Sequence, residues 1–207
     1  MPLQNRVTPN GDIVFSSARG TLMGNRGCLH DAARTLGRRR WATRSWVICL
    51  LSFGGRRREL MRPGYYTELF FLDEATALAA GHRPCAECQR DAWHRFAACW
   101  AAAACLDPRS VRAADLDRSL HAARVDRRRG KVTFPARFGE LPDGALFVAN
   151  EGTFLKWQGT ARPWSLDGYG PAFALAAESE VTVLTPRPTV EALRRGYAPA
   201  VHATVGV

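Results

Sequence analysis

The spacing of apolar positions changes along the chain, and the predicted elements change with it. Over residues 7–27, short β-type runs such as Asp12-Ile13-Val14-Phe15 are broken by glycines, which predicts a hairpin or two short strands. Residues 46–53, Trp-Val-Ile-Cys-Leu-Leu-Ser-Phe, form an aromatic and β-branched run closed by Gly54-Gly55, the signature of a strand. Residues 56–61 are a candidate return strand, and residues 67–72 a further one. Asp73 has the chemistry of an N-cap, with Glu74 in the first helical turn. The helix over residues 75–80 should stop at Gly81, a residue type suited to the left-handed position after a helix. Beyond it, Trp93, Phe96, Ala97 and Trp100 recur at helical spacing and predict a longer helix to about residue 104.

A further helix is expected over residues 110–124, with Val111, Ala114, Leu116 and Leu120 turned inward. Arg127-Arg128-Arg129-Gly130 is a basic break and a candidate linker. The pattern then becomes β-like. A turn at Leu141-Pro142-Asp143-Gly144 leads into a strand over 145–148, and the alternating residues 153–157 could pair with it. Residues 180–185 are a final strand, and a short helix over 189–195 ends at Gly196. The aromatic loop around Trp164 and Tyr169 suits either ligand stacking or a packed corner. No internal repeat is present.

The length of 207 residues and a hydrophobic content of 46% suffice for one domain or two small ones. No apolar run reaches the roughly 18 residues that span a bilayer. The first six residues hold no apolar signal core, so the cytoplasm is the expected compartment and no membrane association is expected. The net charge of +10 points to an anionic partner. Lys131 and Lys156 are the only lysines, so the charge is almost wholly arginine, whose planar fork suits phosphate. An arginine- and alanine-rich chain is equally what a GC-rich genome encodes.

Six cysteines in a chain without a predicted signal peptide point to metal ligands, core residues or catalysts rather than disulfides. Cys85-Ala86-Glu87-Cys88, at a turn before a helix, is the spacing with which two thiolates reach one tetrahedral Zn²⁺. Redox pairs share that spacing. A closed zinc site needs two more ligands. Cys49 lies on a predicted strand, and His30 in the glycine-rich loop before it. The expected set is therefore Cys85, Cys88, Cys49 and His30, with Cys28 as the substitute for His30 and a buried core role as the alternative for Cys49. Cys99 and Cys105, in an alanine-rich helical run, read as core.

The stretch from Phe70 to Cys88, with its aromatic strand, alanine-rich helix and Gly81-His82-Arg83-Pro84-Cys85-Ala86-Glu87-Cys88, resembles the zinc-binding N-terminal domain of the Ada DNA repair protein. The resemblance reaches from about residue 19 to 95. It implies a zinc-bound α/β domain that contacts DNA. That family's upstream Cys-x-x-x-Cys pair, which includes a methyl-accepting cysteine, is not repeated here. Cys28 stands alone, and Met23 lies about where the acceptor would be, so methyl transfer is not implied. The whole chain is also similar to a group of basic bacterial proteins that share the Leu3-Gln4-Asn5-Arg6-Val7-Thr8-Pro9 start, the Met23-Gly24-Asn25-Arg26-Gly27 loop and the Leu141-Pro142-Asp143-Gly144 turn.

The expected fold is α+β: a small zinc-stapled α/β domain over 1–126, followed by a small β-rich module over 127–207. The expected function is a zinc-containing nucleic-acid-binding protein, for DNA, with a repair or regulatory role. The expected phosphate contacts are Arg26, Arg38, Arg39, Arg40, Arg56, Arg57, Arg58 and Arg83, interleaved with Trp41, Trp46, Tyr65 and Tyr66. Two other classes stay open. One is a metal-dependent enzyme acting on nucleic acid, a nuclease or base-modifying activity, with His30, Asp31, His82, Glu87 and His121 as candidates. The other is a zinc-stapled protein-interaction module. No phosphate-binding glycine loop, nucleophile elbow or zinc-protease signature is present.

Overall fold

Among the described residues the chain begins as a sheet and goes on to a second sheet, with four α-helices between and around them. The computed structural model describes residues 2–55, 59–126 and 130–206. β1 (Gln4–Val7), β2 (Ile13–Phe15), β3 (Leu22–Asn25), β4 (Val47–Cys49) and β5 (Leu69–Phe71) come first, then α1 (Glu74–Ala79), β6 (Arg83–Pro84), α2 (Arg90–Ala103) and α3 (Ala113–Arg124). A short hairpin follows, β7 (Val125–Asp126) and β8 (Gly130–Lys131). The last part comprises β9 (Phe134–Arg137), β10 (Leu146–Ala149), β11 (Gly152–Trp157), β12 (Thr160–Ser165), β13 (Gly168–Tyr169), β14 (Glu180–Val183) and α4 (Arg187–Arg194).

The first sheet is mixed, in the order β2-β1-β5-β3-β4-β6, with β1∥β5 and β4∥β6 as its parallel pairs. The second is antiparallel throughout, in the order β13-β12-β11-β10-β14-β9. The α+β class is as expected from the pattern. One buried cluster runs through both parts: Val7, Ile48 and Phe71 belong to it, as do Phe147, Val183 and Leu193. Among the described residues, no helix is long and apolar enough to cross a membrane.

Alternation sets the two faces of the first sheet. Ile48, Leu69 and Phe71 are buried on the core side, whereas Met23, Val47, Cys49 and Phe70 are half-buried on the other. The predicted strand over 46–53 shortens to Val47–Cys49, because β6 pairs with β4 only at Val47 and Ile48. Leu50, Leu51 and Phe53 leave the sheet. Residues 59–61 form no strand, and residues 56–58 lie outside the described residues. The helix faces follow their period: Trp93, Phe96, Ala97 and Trp100 are buried, as are Leu116 and Leu120. Ala114 faces out, contrary to expectation, because its position precedes the 116–120–124 stripe by two residues and falls on the opposite side of the helix. Cys105 is also a correction: it is exposed, in the left-handed conformation just past α2.

α1 is anchored by its N-cap and its first residue. Asp73 caps it, with Oδ1 accepting from Thr76 N at 2.8 Å. Its Oδ2 accepts from the Tyr169 hydroxyl at 2.8 Å and from His202 N at 2.9 Å. Glu74 accepts from the Tyr197 hydroxyl and, at 2.8 Å, from Ala200 N. Trp164 donates its indole N–H to Thr76 Oγ1 at 3.0 Å, so the aromatic loop is a packed corner. Apart from the cap itself, these bonds join residues far apart in sequence, and Asp73 and Glu74 are both buried.

Removing the Asp73 carboxylate deletes a helix cap and leaves the buried Tyr169 hydroxyl unpaired. Asp73→Ala should lower stability by about 2–4 kcal/mol and Tyr169→Phe by about 1 kcal/mol, both read from urea denaturation midpoints. Equal losses in the two variants would show that the cap contributes nothing.

Candidate metal centre

Two strands and one turn assemble a cysteine trio. Cys49 ends β4. Parallel pairing of β4 with β6 carries the chain from Pro84 directly beside it, and Cys85 N donates to Ile48 O at 2.9 Å. The turn at 85–89 closes with Gln89 N donating to Cys85 O at 3.1 Å, while the Gln89 side-chain amide holds Ile48 O at 2.9 Å. The sulfur atoms of Cys49, Cys85 and Cys88 lie within 4.8 Å of one another. Three thiolates bound to a tetrahedral zinc at 2.3 Å sit roughly 3.8 Å apart, so the trio could hold a metal ion such as zinc with little adjustment.

The donor chemistry fits as well. Glu87 N points its hydrogen at Cys85 Sγ, 3.4 Å away, the amide-to-sulfur contact that stabilises a thiolate. The Cys85 thiol is held down to about 5, chiefly by a hydrogen bond from Cys49, with the amides of Cys88 and Glu87 adding to it. Cys49 is pushed up because it donates that bond and is desolvated. Burial pushes Cys88 up. One thiolate shared among three sulfurs is the arrangement that a divalent cation relieves, releasing the remaining protons.

On its open side the trio borders a hollow of about 450 Å³, lined among others by Met23, Leu51, Tyr66, Glu68 and Phe70. Met23 pairs with Cys49 across β3 and β4, so both side chains stand on this face. Glu68 is buried and engaged, accepting from Met61 N at 2.7 Å. Glu87 lines the rim.

His30 is not in the trio. Leu29 N donates to Thr67 Oγ1, which sits 2.7 Å from His30 Nδ1, and His30 Nε2 faces Arg62 O at 3.2 Å. Both ring nitrogens are therefore engaged within the fold, away from the three sulfurs. The ring instead ties the loop after β3 to the segment before β5. Cys28 is exposed, with Sγ 3.6 Å from His30 O, and does not join the trio either. Cys99 is half-buried against the end of α4, where Sγ meets Arg195 O at 3.5 Å. Asp31 is occupied by its own turn, accepting from Ala33 N and Thr35 N at 2.9 Å each.

The arginines part company. Arg38, Arg39 and Arg40 are exposed. Arg56, Arg57 and Arg58 lie outside the described residues. Arg83 is turned inward: it forks onto Asp117 with two bonds of 2.8 Å, stacks over Trp93 at 4.7 Å and donates to Pro84 O. It ties α3 to the start of the cysteine turn, and its buried guanidinium is fully used within the fold. Arg26 is also buried, but it lines a separate cavity with Arg124 and Lys131. Sequence reasoning passed over both of those partners. Arg124 was findable, since it continues the 116–120–124 spacing of the inward leucines.

No protein-family model, curated protein or solved structure matches this chain.

In the reduced, metal-free protein, Cys85 should be the thiolate of the trio at neutral pH. Iodoacetamide should therefore modify it at a rate nearly flat between pH 7 and pH 8.5, because its titration is complete well below that range. One equivalent of Zn²⁺ should slow the reaction at Cys49, Cys85 and Cys88 together, as read by peptide mass spectrometry. Unchanged rates with zinc would remove the trio as a metal site.

Proposed function

We propose that this protein binds a zinc ion through Cys49, Cys85 and Cys88 and uses the scaffold so stapled to bind nucleic acid, most directly DNA, in a repair or regulatory role. The zinc half rests on one observation: three sulfurs from two separate segments, the end of β4 and the 85–88 turn, converge within 4.8 Å, and an amide of that turn points at sulfur. Zinc there would be structural, fixing the β4–β6 pair and the start of α2. The likeness of the stretch from Phe70 to Cys88 to the Ada zinc domain supports the same reading.

The nucleic-acid half is supported by the charge. The net +10 is carried almost entirely by arginine. Arg38, Arg39 and Arg40 stand exposed on the loop between β3 and β4, the strand that carries Cys49, with the half-buried Trp41 next to them. Exposed guanidinium groups beside an aromatic ring suit a phosphate backbone and its bases.

A second reading is an enzyme acting on nucleic acid. It is favoured by the trio supplying three donors beside an open hollow, since metal sites with three protein ligands leave a position for water or substrate.

Elemental mass spectrometry of purified protein should find about one zinc per chain, lost in Cys85→Ser and Cys49→Ser and retained in His30→Ala. Binding to a short DNA duplex should weaken with salt, log K falling with log[salt] by about 0.9 per phosphate contacted. The triple variant Arg38→Ala/Arg39→Ala/Arg40→Ala should flatten that slope by about 2–3. A zinc-free wild type would sink the metal reading. Binding indifferent to salt and to the triple variant would sink the nucleic-acid reading.

A further inference from the structure

A second cavity, of about 820 Å³, collects cations that the fold has no use for as ion pairs. Arg26, Arg124 and Lys131 line it from three different segments: the end of β3, the end of α3 and the β7–β8 hairpin. Arg26 and Arg124 are each 1% exposed. Both guanidinium carbons lie over Trp46, at 4.2 and 4.0 Å from its ring centroid. The aromatic face carries the positive charges without neutralising them.

The donor accounting leaves capacity over. Arg26 Nη1 donates to Gly11 O at 2.9 Å and Nε approaches His82 Nε2 at 3.4 Å, but its buried Nη2 has no partner. Arg124 spends both Nη atoms on carbonyls, Gly81 O at 2.7 Å and Arg44 O at 2.5 Å, and its buried Nε has none. Lys131 Nζ makes one bond, to Ala79 O at 2.6 Å. Gly81 is required for this packing, since a Cβ there would stand 2.6 Å from Arg124 Cδ.

Two carboxylates share the lining. Asp12 is occupied by Asn10, whose Nδ2 donates to it at 3.1 Å, and Asp126 faces the cavity beside Lys131. Asp12 forms no ion pair within 4.0 Å with Arg26, Arg124 or Lys131 among the described residues. Arg39 and Arg40 extend the positive lining, so among the described residues five cations face two carboxylates. Burial holds Arg26 and Arg124 down to about 9 and Lys131 to about 7; repulsion from neighbouring cations adds to this, and the charges of Asp12 (on Arg26 and Lys131) and Asp117 (on Arg124) offset it only in part. These charges are unfavourable as the protein stands, and an anion would relieve them.

We propose that this cavity is a binding site for a phosphate monoester, either the phosphorylated end of a nucleic-acid strand or a free nucleotide. Three features select that group. The excess of positive charge suits a group carrying between one and two negative charges better than a single carboxylate. Three terminal oxygens match donors arriving from three directions. Arg26 and Arg124 are each 1% exposed on the cavity lining, whereas Arg38–Arg40 are exposed, so a strand passing over the surface meets Arg38–Arg40 first and a terminal group is the part that reaches further in. A terminal group can enter, and the volume admits a nucleotide, with Trp41 on the lining to take a base. The inference goes beyond the nucleic-acid reading and stands on the cavity's own residues.

The test compares one single-stranded oligonucleotide with a 5′-phosphate, a 3′-phosphate or hydroxyls at both ends, at fixed salt. A 5′-mononucleotide and its unphosphorylated nucleoside are titrated alongside by calorimetry. Wild type is set against Lys131→Met, which keeps the aliphatic stem and removes the charge, and against Arg26→Gln, each checked for an unchanged circular dichroism spectrum. A strand end as the ligand predicts about tenfold tighter binding of one phosphorylated strand, with the preference lost in Lys131→Met. A free nucleotide as the ligand predicts binding of the mononucleotide but not the nucleoside, again lost in Lys131→Met, while all strands bind alike. Strands that bind alike and a mononucleotide that does not bind would overturn the phosphate site and leave the nucleic-acid reading standing. A mononucleotide that binds while no strand does would keep the site and overturn that reading. If Arg26→Gln fails to fold, Lys131→Met decides.

Discussion

Asp73 and Glu74 are adjacent carboxylates, both buried, and the architecture turns on how they are satisfied. Asp73 caps the N-terminus of α1 and at the same time receives Tyr169 and the backbone of His202. Glu74 receives Tyr197 and the backbone of Ala200. Buried acceptors of this kind are tolerated only when their lone pairs are filled, and here donors from the second sheet and the C-terminal segment fill them. The consequence is a helix that cannot be withdrawn from either part without stranding several polar groups. Burial holds Glu74 above the usual carboxylate range, against the opposing pull of the Tyr197 hydroxyl and the Ala200 amide, and burial beside Asp73 and Glu74 holds Tyr169 and Tyr197 above the usual phenol range.

α1 passes that order to both candidate sites through its other end. Gly81 ends the helix with positive φ and lies against the Arg124 side chain, which places a guanidinium over Trp46 in the cationic cavity. Two residues later Arg83 pairs with Asp117, and the chain enters β6 beside β4. That pairing brings Cys85 and Cys88 to Cys49. A six-residue helix therefore separates a site rich in soft sulfur donors from one rich in unpaired cations. The first suits a thiophilic metal ion and the second a hard oxyanion.

The two sites differ in how far sequence reasoning reaches. Cys85 and Cys88 are brought together by a four-residue turn, so their spacing alone implies their proximity. Cys49 was reachable as a cysteine on a predicted strand of an expected scaffold. His30 looked equally suitable by sequence, yet the fold gives its ring to Thr67 and Arg62 O. Nothing local distinguishes the two outcomes, because ligation depends on a loop's path over thirty residues. Arg83 shows the same limit. Beside the cysteine turn it reads as a phosphate contact, and only the packing of α3 supplies the Asp117 that turns it inward.

By itself the sequence determined the element types, the cap at Asp73, the helix stop at Gly81, the α+β class and the cysteine turn. Each depends on backbone preferences or side-chain periods within about a dozen residues, and those are written locally. The tertiary structure alone decided which cysteine completes the trio, where the first sheet leaves a hollow, and which arginines remain without an acidic partner. Those outcomes follow from strand pairing and burial between distant segments. Charge in the interior is settled by whichever groups packing brings within hydrogen-bond reach, and no local pattern names them.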